Sequence, residues 1–241
     1  MNKGNEFLLN MSVVELVTTI LGWLVIVYFA YRIYKKLSEK PKVWKVLVVT
    51  WIGLFALSFN LPMFGSMVKL SILPLGVWIL YGVFRKKEAQ WQVYRRFAWL
   101  GFIANFIFII TTLVAVPIHQ MLYPENDPSS YISTIHDASI VHIHPSAEKR
   151  SLNKDILDKE LVLLKEEPVR SMDWYYETDQ YNQDKKVIER FPYQLIGYKP
   201  KWGSGLNSIV YIEKDGKGLL ISSTKKQLYF RSEHSLIEKV N

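Results

Sequence analysis

The chain has 241 residues, 30 Lys+Arg against 22 Asp+Glu, and no cysteine. The missing thiols exclude disulfides, thiolate catalysis and cysteine metal sites. The net charge of +8 resembles a nucleic-acid footprint only until it is divided along the chain. Residues 1–117 hold 13 basic and four acidic groups, whereas residues 118–241 hold 17 and 18. The excess lies in the apolar half, where basic loops face anionic headgroups, so no nucleic-acid partner is expected.

Four apolar segments, near 12–33, 43–61, 66–84 and 97–117, each reach the length needed to cross a bilayer. They predict an α-helical membrane bundle of four transmembrane helices. Arg32, Lys35, Lys36, Lys40, Lys42 and Lys45 cluster after the first segment, and Arg85, Lys86, Lys87, Arg95 and Arg96 after the third. The linker Leu61–Ser66 carries no charge. Short basic loops stay in the cytoplasm, so loops 34–42 and 85–96 are expected inside and both termini outside. Charges that follow the first apolar run argue for a retained helix over a signal peptide. The expected location is a bacterial plasma membrane, with the lipid bilayer as one partner.

Aromatic residues gather at the expected interfaces, including Tyr28, Tyr31, Trp44, Tyr81, Trp91 and Trp99. Gly22, Gly53, Gly76 and Gly101 permit close helix contacts. Polar residues inside the expected spans include Glu15, Lys69, Asn60 and Asn105. Ionisable groups there are functional suspects, but Glu15 and Lys69 lie near helix ends and can snorkel to headgroups. Asn105 suits an interhelical hydrogen bond. So little intramembrane polarity makes a small transporter component the weakest of the readings.

The expected division is 1–117 as membrane region, 118–130 as connector and 131–241 as an extracytoplasmic domain. Residues 138–144 alternate as a half-buried strand does. Residues 152–167 place Leu152, Ile156, Leu157, Leu161 and Leu164 on one helical face, with Ser151 or Asn153 as cap. Phe191–Tyr198 reads as a strand. Ile209–Ile212 and Leu219–Ile221 flank Asp215-Gly216, a type I′ hairpin signal. Gln227–Arg231 adds a strand, and a short helix is expected from Ser235. The sum is a small α+β domain with an antiparallel sheet.

Two groups in this half attract chemistry. His142 and His144, two apart on one strand, would share a face and could take zinc, with His136, Asp137 or Glu148 completing the set. The bland alternative is a solvent-facing strand edge. The second group is aromatic: Trp174, Tyr175, Tyr176, Tyr181, Tyr193, Tyr198 and Trp202. Trp174 and Tyr211 suit a core. Trp202, in the loop Lys199-Pro200-Lys201-Trp202-Gly203, suits display to a partner, with Lys199, Lys201 and Tyr198 beside it. The acids Glu166, Glu167, Asp173, Glu177 and Asp179 suit a solvated surface. No nucleophile motif, phosphate loop or dinucleotide fingerprint is present, and no catalytic residue is assigned.

These residues predict a membrane protein whose exported domain binds or senses an extracytoplasmic protein or envelope ligand. A sensor, an accessory subunit and an immunity-type factor all belong to that class. The alternative is a metal-dependent hydrolase on the outer face built on His142 and His144.

Overall fold

The computed structural model describes residues 12–63, 66–174 and 189–239. The chain divides into two compact units, one spanning Val13–His119 and the other beginning at Gln120.

In the first unit, α1 (Val13–Lys35) and α4 (Glu88–Leu122) are long and apolar enough to cross a membrane. At 1.5 Å per residue they run about 34 and about 52 Å. Only 17% of the apolar window of α1 and 22% of that of α4 is buried. A core helix of a water-soluble protein buries most of its surface, so these proportions favour lipid as the surrounding medium. Large apolar side chains such as Leu24, Val27 and Ile110 accordingly point outward.

Residues 43–84 do not form the expected second and third membrane helices. They fold as α2 (Val43–Gly53), β1 (Leu57–Met63), β2 (Ser66–Leu73) and α3 (Leu75–Phe84), with β1 and β2 antiparallel. The four-helix bundle is therefore corrected to two long helices and a helix–hairpin–helix excursion. The reason is periodicity. Val68-Lys69-Leu70-Ser71-Ile72 alternates strictly, which places one residue type on each face of a strand but scatters it around a helix. Pro62, which lacks an N–H, is tolerated because each strand of a two-stranded ribbon has an open edge.

Glycines set the helix spacing. A Cβ on Gly53 would lie 2.2 Å from the Ala98 carbonyl oxygen, and one on Gly76 would lie 1.8 Å from that of Ile52. One on Gly101 would lie 2.1 Å from the Thr50 oxygen. Backbones of α2, α3 and α4 thus touch where side chains are absent. Val46, Val49, Val77, Leu80, Phe97 and Ala98 fill the seam.

The second unit opens with α5 (Pro128–Tyr131), capped by Asp127, whose side chain accepts from Ser129 N–H. An antiparallel sheet follows in the order β3 (Ser139–His142), β6 (Tyr193–Ile196), β7 (Ser208–Ile212), β8 (Gly218–Ser223), β9 (Gln227–Arg231) and β5 (Lys165–Glu167). A separate ribbon pairs β4 (Arg150–Leu152) with β10 (Ile237–Lys239). The segment expected as a C-terminal helix is thus a strand. The helix α6 covers only Lys154–Glu160, capped by Asn153, which accepts from Ile156 N–H. The expected helix over 152–167 stops early because Lys165–Glu167 pairs with β9.

Strand alternation sorts the sheet into two faces. Tyr193, Leu195, Val210, Ile212, Leu219, Ile221, Leu228 and Phe230 form the main core with Leu157 of α6. Gln194, Tyr211, Leu220 and Tyr229 register side by side on the other face. The β7–β8 connection differs from the expected two-residue turn. Gly216 N–H donates to the Glu213 carbonyl at 2.8 Å, and Glu213 N–H to that of Gly218 at 2.8 Å. Four residues, 214–217, make the loop, with Gly216 at φ 79°.

Candidate functional site

The second face of the sheet carries an open cleft of about 290 Å³. Ile143, His144, Glu189, Phe191, Tyr211 and Leu220 line it. Tyr211 and Leu220 are register partners in the centre of the sheet, which makes the floor rigid. Phe191, Leu220 and Tyr229 form a small buried cluster with Trp174 and Tyr211 packed against it. Trp174 meets Phe191 and Tyr229 edge-to-face, with ring centroids 5.4 and 5.1 Å apart, a favoured aromatic geometry. Trp174 is therefore a packing residue, and Tyr211 packs against the same cluster while also lining the cleft. Tyr175, Tyr176, Tyr181, Glu177 and Asp179 lie outside the described residues.

The polar rim is built locally. Ser146 N–H donates to His144 Nδ1 at 3.1 Å, and the Ser146 hydroxyl lies 2.8 Å from the same nitrogen. Nδ1 is thus an acceptor, and the neutral ring carries its proton on Nε2, where it is a donor. Ser146 Oγ in turn accepts from Glu189 N–H at 3.1 Å. Glu189 Oε1 accepts from Phe191 N–H at 3.2 Å. An apolar floor with a histidine donor and a carboxylate at its edge can seat an apolar group and orient it by hydrogen bonds.

Arg190, next to this rim, stacks over Trp174 at 4.8 Å and pairs through Nε with Glu213 Oε1 at 2.8 Å. Glu213 is buried, and its other oxygen takes Arg231 Nη1 at 2.7 Å and the Tyr229 hydroxyl at 2.6 Å. Arg231 also holds Asp215 at 2.6 Å. Burial, then the bond to Glu213, pushes the Tyr229 phenol up. On the opposite side of the sheet, buried Glu160 accepts from Ser232 Oγ at 2.6 Å and pairs with His234 Nδ1 at 2.9 Å. Those two bonds hold its carboxyl below the usual glutamate range.

The histidines expected to share a face diverge. His142 registers with Tyr193, and the rings meet 5.5 Å apart at the main-core side. The chain leaves β3 after His142, and His144 lines the cleft on the other side. His136 pairs with Asp137 at 2.9 Å, both exposed. Glu148 is taken by Arg150 at 2.8 Å. Among the described residues, no group of three or more His, Asp or Glu is disposed to hold a metal.

The Lys199–Trp202 loop is a fastened segment. Lys199 bridges Thr134 through its backbone, and Lys201 N–H donates to the Ser130 carbonyl at 3.1 Å. The Tyr198 hydroxyl donates to the Ser208 carbonyl, and burial raises that phenol above its ordinary range. Lys201 Nζ donates to the Leu122 carbonyl at 3.1 Å. Trp202 is 84% exposed. In the first unit, Asn105 Nδ2 donates to the Leu54 carbonyl at 3.2 Å, where α2 gives way to β1. Lys69 stands on β2 opposite Asn60, and Glu15 lies in the first turn of α1.

Sequence reasoning did not single out Ser146, Glu189, Phe191 or Leu220 as neighbours. Ser146, the pair Glu189 and Phe191, and Leu220 stand far apart along the chain, and the pairing of β3, β6, β7 and β8 brings them together. No protein-family model, curated protein or solved structure matches this chain. The cleft's own chemistry therefore carries the functional reading.

Proposed function

We propose that this is a multi-pass plasma-membrane protein whose C-terminal domain, on the outer side, recognises an extracytoplasmic protein partner. The observation that carries this reading is the cleft on the second sheet face. At about 290 Å³ it stands at the small end of the ~300–1,000 Å³ range of ligand pockets, and it is open to solvent. Its size and aromatic floor suit one anchoring apolar side chain of a larger partner, the form that interface hot spots take. His144 and Glu189 would read the polar flank of that anchor.

The orientation rests on the basic loops. The α2–β1–β2–α3 excursion begins beside Lys42 and ends at Arg85, so it leaves and returns on the same basic side. However deep it reaches, it adds an even number of crossings. With α1 and α4 as the spans, the basic loops stay inside and Gln120 onward lies outside.

The cysteine-free background makes the orientation directly testable. Thr224→Cys should react with an impermeant maleimide in intact cells, and Ser38→Cys only after permeabilisation. The reverse pattern would refute the assignment. For recognition, a photo-crosslinking residue at Tyr211 should trap one defined species in intact cells. Ile143→Lys, at the exposed edge of the cleft, should abolish that product. Trapping that survives Ile143→Lys, or none at all, would remove the cleft as the recognition site.

A further inference from the structure

The sheet of the C-terminal unit has two edges, and they differ in chemistry. At one, β5 carries Lys165, Glu166 and Glu167, charges that discourage another chain from pairing there. At the other, β3 reads Ser139-Ile140-Val141-His142, with no Lys, Arg, Asp, Glu or Pro. β3 pairs with β6 alone, and β4, the next strand in the chain, pairs with β10. Among the described residues, no strand covers the outer side of β3.

The register fixes which backbone groups face outward. Ile143 N–H donates to the Pro192 carbonyl at 2.9 Å. Bonded and unbonded positions alternate along an antiparallel pair. Ser139, Val141 and Ile143 therefore bond towards β6, and Ile140 and His142 turn N–H and C=O away from it. Among the described residues, neither of those two makes a backbone hydrogen bond outside the sheet ladder. Two donors and two acceptors thus stand at the spacing that an extended backbone matches. The side chains point the same way. Val141, 41% exposed, registers with Gln194 on the second face of the sheet. Ile143, 45% exposed, lies on that face and lines the cleft. The open edge therefore runs into the wall of the cleft.

We propose that β3 is a strand-addition site: an extended, uncharged segment of the partner protein pairs with its open edge and lengthens the sheet by one strand. Strand addition deepens the recognition reading and rests on it, since the same partner anchors in the adjoining cleft. Bonds to Ile140 and His142 hold any extended backbone, and the side chains opposite Val141 and Ile143 give selectivity. Apolar residues at alternate positions of the segment cover those two. A second copy of this chain fits less well. Antiparallel pairing of two β3 strands, Ile140 against His142, puts Ser139 opposite Ile143 and leaves that side chain uncovered.

The test uses the full chain in intact cells, with the photo-crosslinking residue at Tyr211 as the probe. His142→Pro removes an outward N–H and sets a ring against the edge while sparing the bonds to β6, a position where a strand tolerates proline. It should lower the yield of the Tyr211 product by about tenfold or more, whereas His142→Ala should retain it. An unchanged yield from a folded His142→Pro variant overturns the proposal. So does a product made of two copies of this chain, which makes a second copy the occupant. The purified wild-type product gives a readout that needs no edge variant. Hydrogen exchange at the Ile140 and His142 amides should slow by about tenfold or more relative to the free chain, with Val141 already protected by β6. Unchanged exchange at both amides overturns strand addition and leaves the cleft as the recognition site. Absence of any Tyr211 product instead removes the recognition reading itself.

Discussion

Arg231 Nη1 lies 2.7 Å from Glu213 Oε2, and the same oxygen accepts the Tyr229 hydroxyl at 2.6 Å. Gly218 keeps the space open, since a Cβ there would lie 2.0 Å from that oxygen. Removing the carboxylate strands two guanidinium groups on a largely buried face. Both arginines keep some exposure, so Glu213→Ala should cost about 2–3 kcal/mol, below the range of a wholly buried pair. Tyr229→Phe loses one bond and should cost about 1 kcal/mol. Thermal unfolding of the two variants in detergent gives the order. Equal melting temperatures would show that the network is screened like a surface pair.

Glu160 contributes to the acid stability of the C-terminal domain. Its folded carboxyl sits below the ordinary value of 4.5, because Ser232 and His234 bond the charged form. The unfolded chain therefore binds the extra proton first as pH falls. The stabilisation is present above pH 4.5 and is lost as pH drops through the lower folded value. Glu160→Gln should flatten the pH dependence of the melting temperature in that window. An unchanged slope would mean that other carboxylates govern acid unfolding.

Gly76 meets the Ile52 carbonyl oxygen where a Cβ would stand only 1.8 Å away. The obstacle is backbone, so no rotamer change relieves it. Gly76→Ala should push α3 off α2 and cost about 1–3 kcal/mol, as overpacking does. Gly82, whose Cβ would meet nothing within 4 Å, provides the control. Gly82→Ala should leave the detergent melting temperature unchanged or slightly raised. Equal losses at both positions would argue against the close helix approach.

Asn105 supplies a donor to the Leu54 carbonyl at the junction of α2 and β1. Its substitution by leucine leaves that oxygen short of a partner and should cost about 0.6–2 kcal/mol. Asn105→Gln retains the amide and should recover part of the loss. Equal melting temperatures for Asn105→Leu and the wild type would remove the bond as a determinant of the helix–hairpin junction.

Local pattern accounts for much of the C-terminal sheet. The short apolar runs Ile209–Ile212 and Gln227–Arg231 became β7 and β9, because one buried face leaves only one workable register. The helix over 152–167 was half legible. Asn153 and Leu157 act as expected, but an open edge on β9 recruited Lys165–Glu167 into the sheet. The hairpin at 57–73 was masked by its own apolarity. Hydropathy over 43–84 reads as membrane helix, and the alternation at Val68–Ile72 is a weaker signal beside it.

The cleft shows the limit most clearly. His142 and His144 look paired in the sequence, yet the strand ends between them and they fall on opposite sides of the sheet. His144 finds Phe191, Tyr211 and Leu220 only because β6, β7 and β8 lie in register. Hydropathy and charge are carried by consecutive residues. The sequence alone therefore determined the apolar first half, its two basic clusters and the near-neutral C-terminal half. Pairing between distant strands is settled by which faces can be buried together. Only the tertiary structure decided the α2–β1–β2–α3 excursion, the cleft and the open edge of β3.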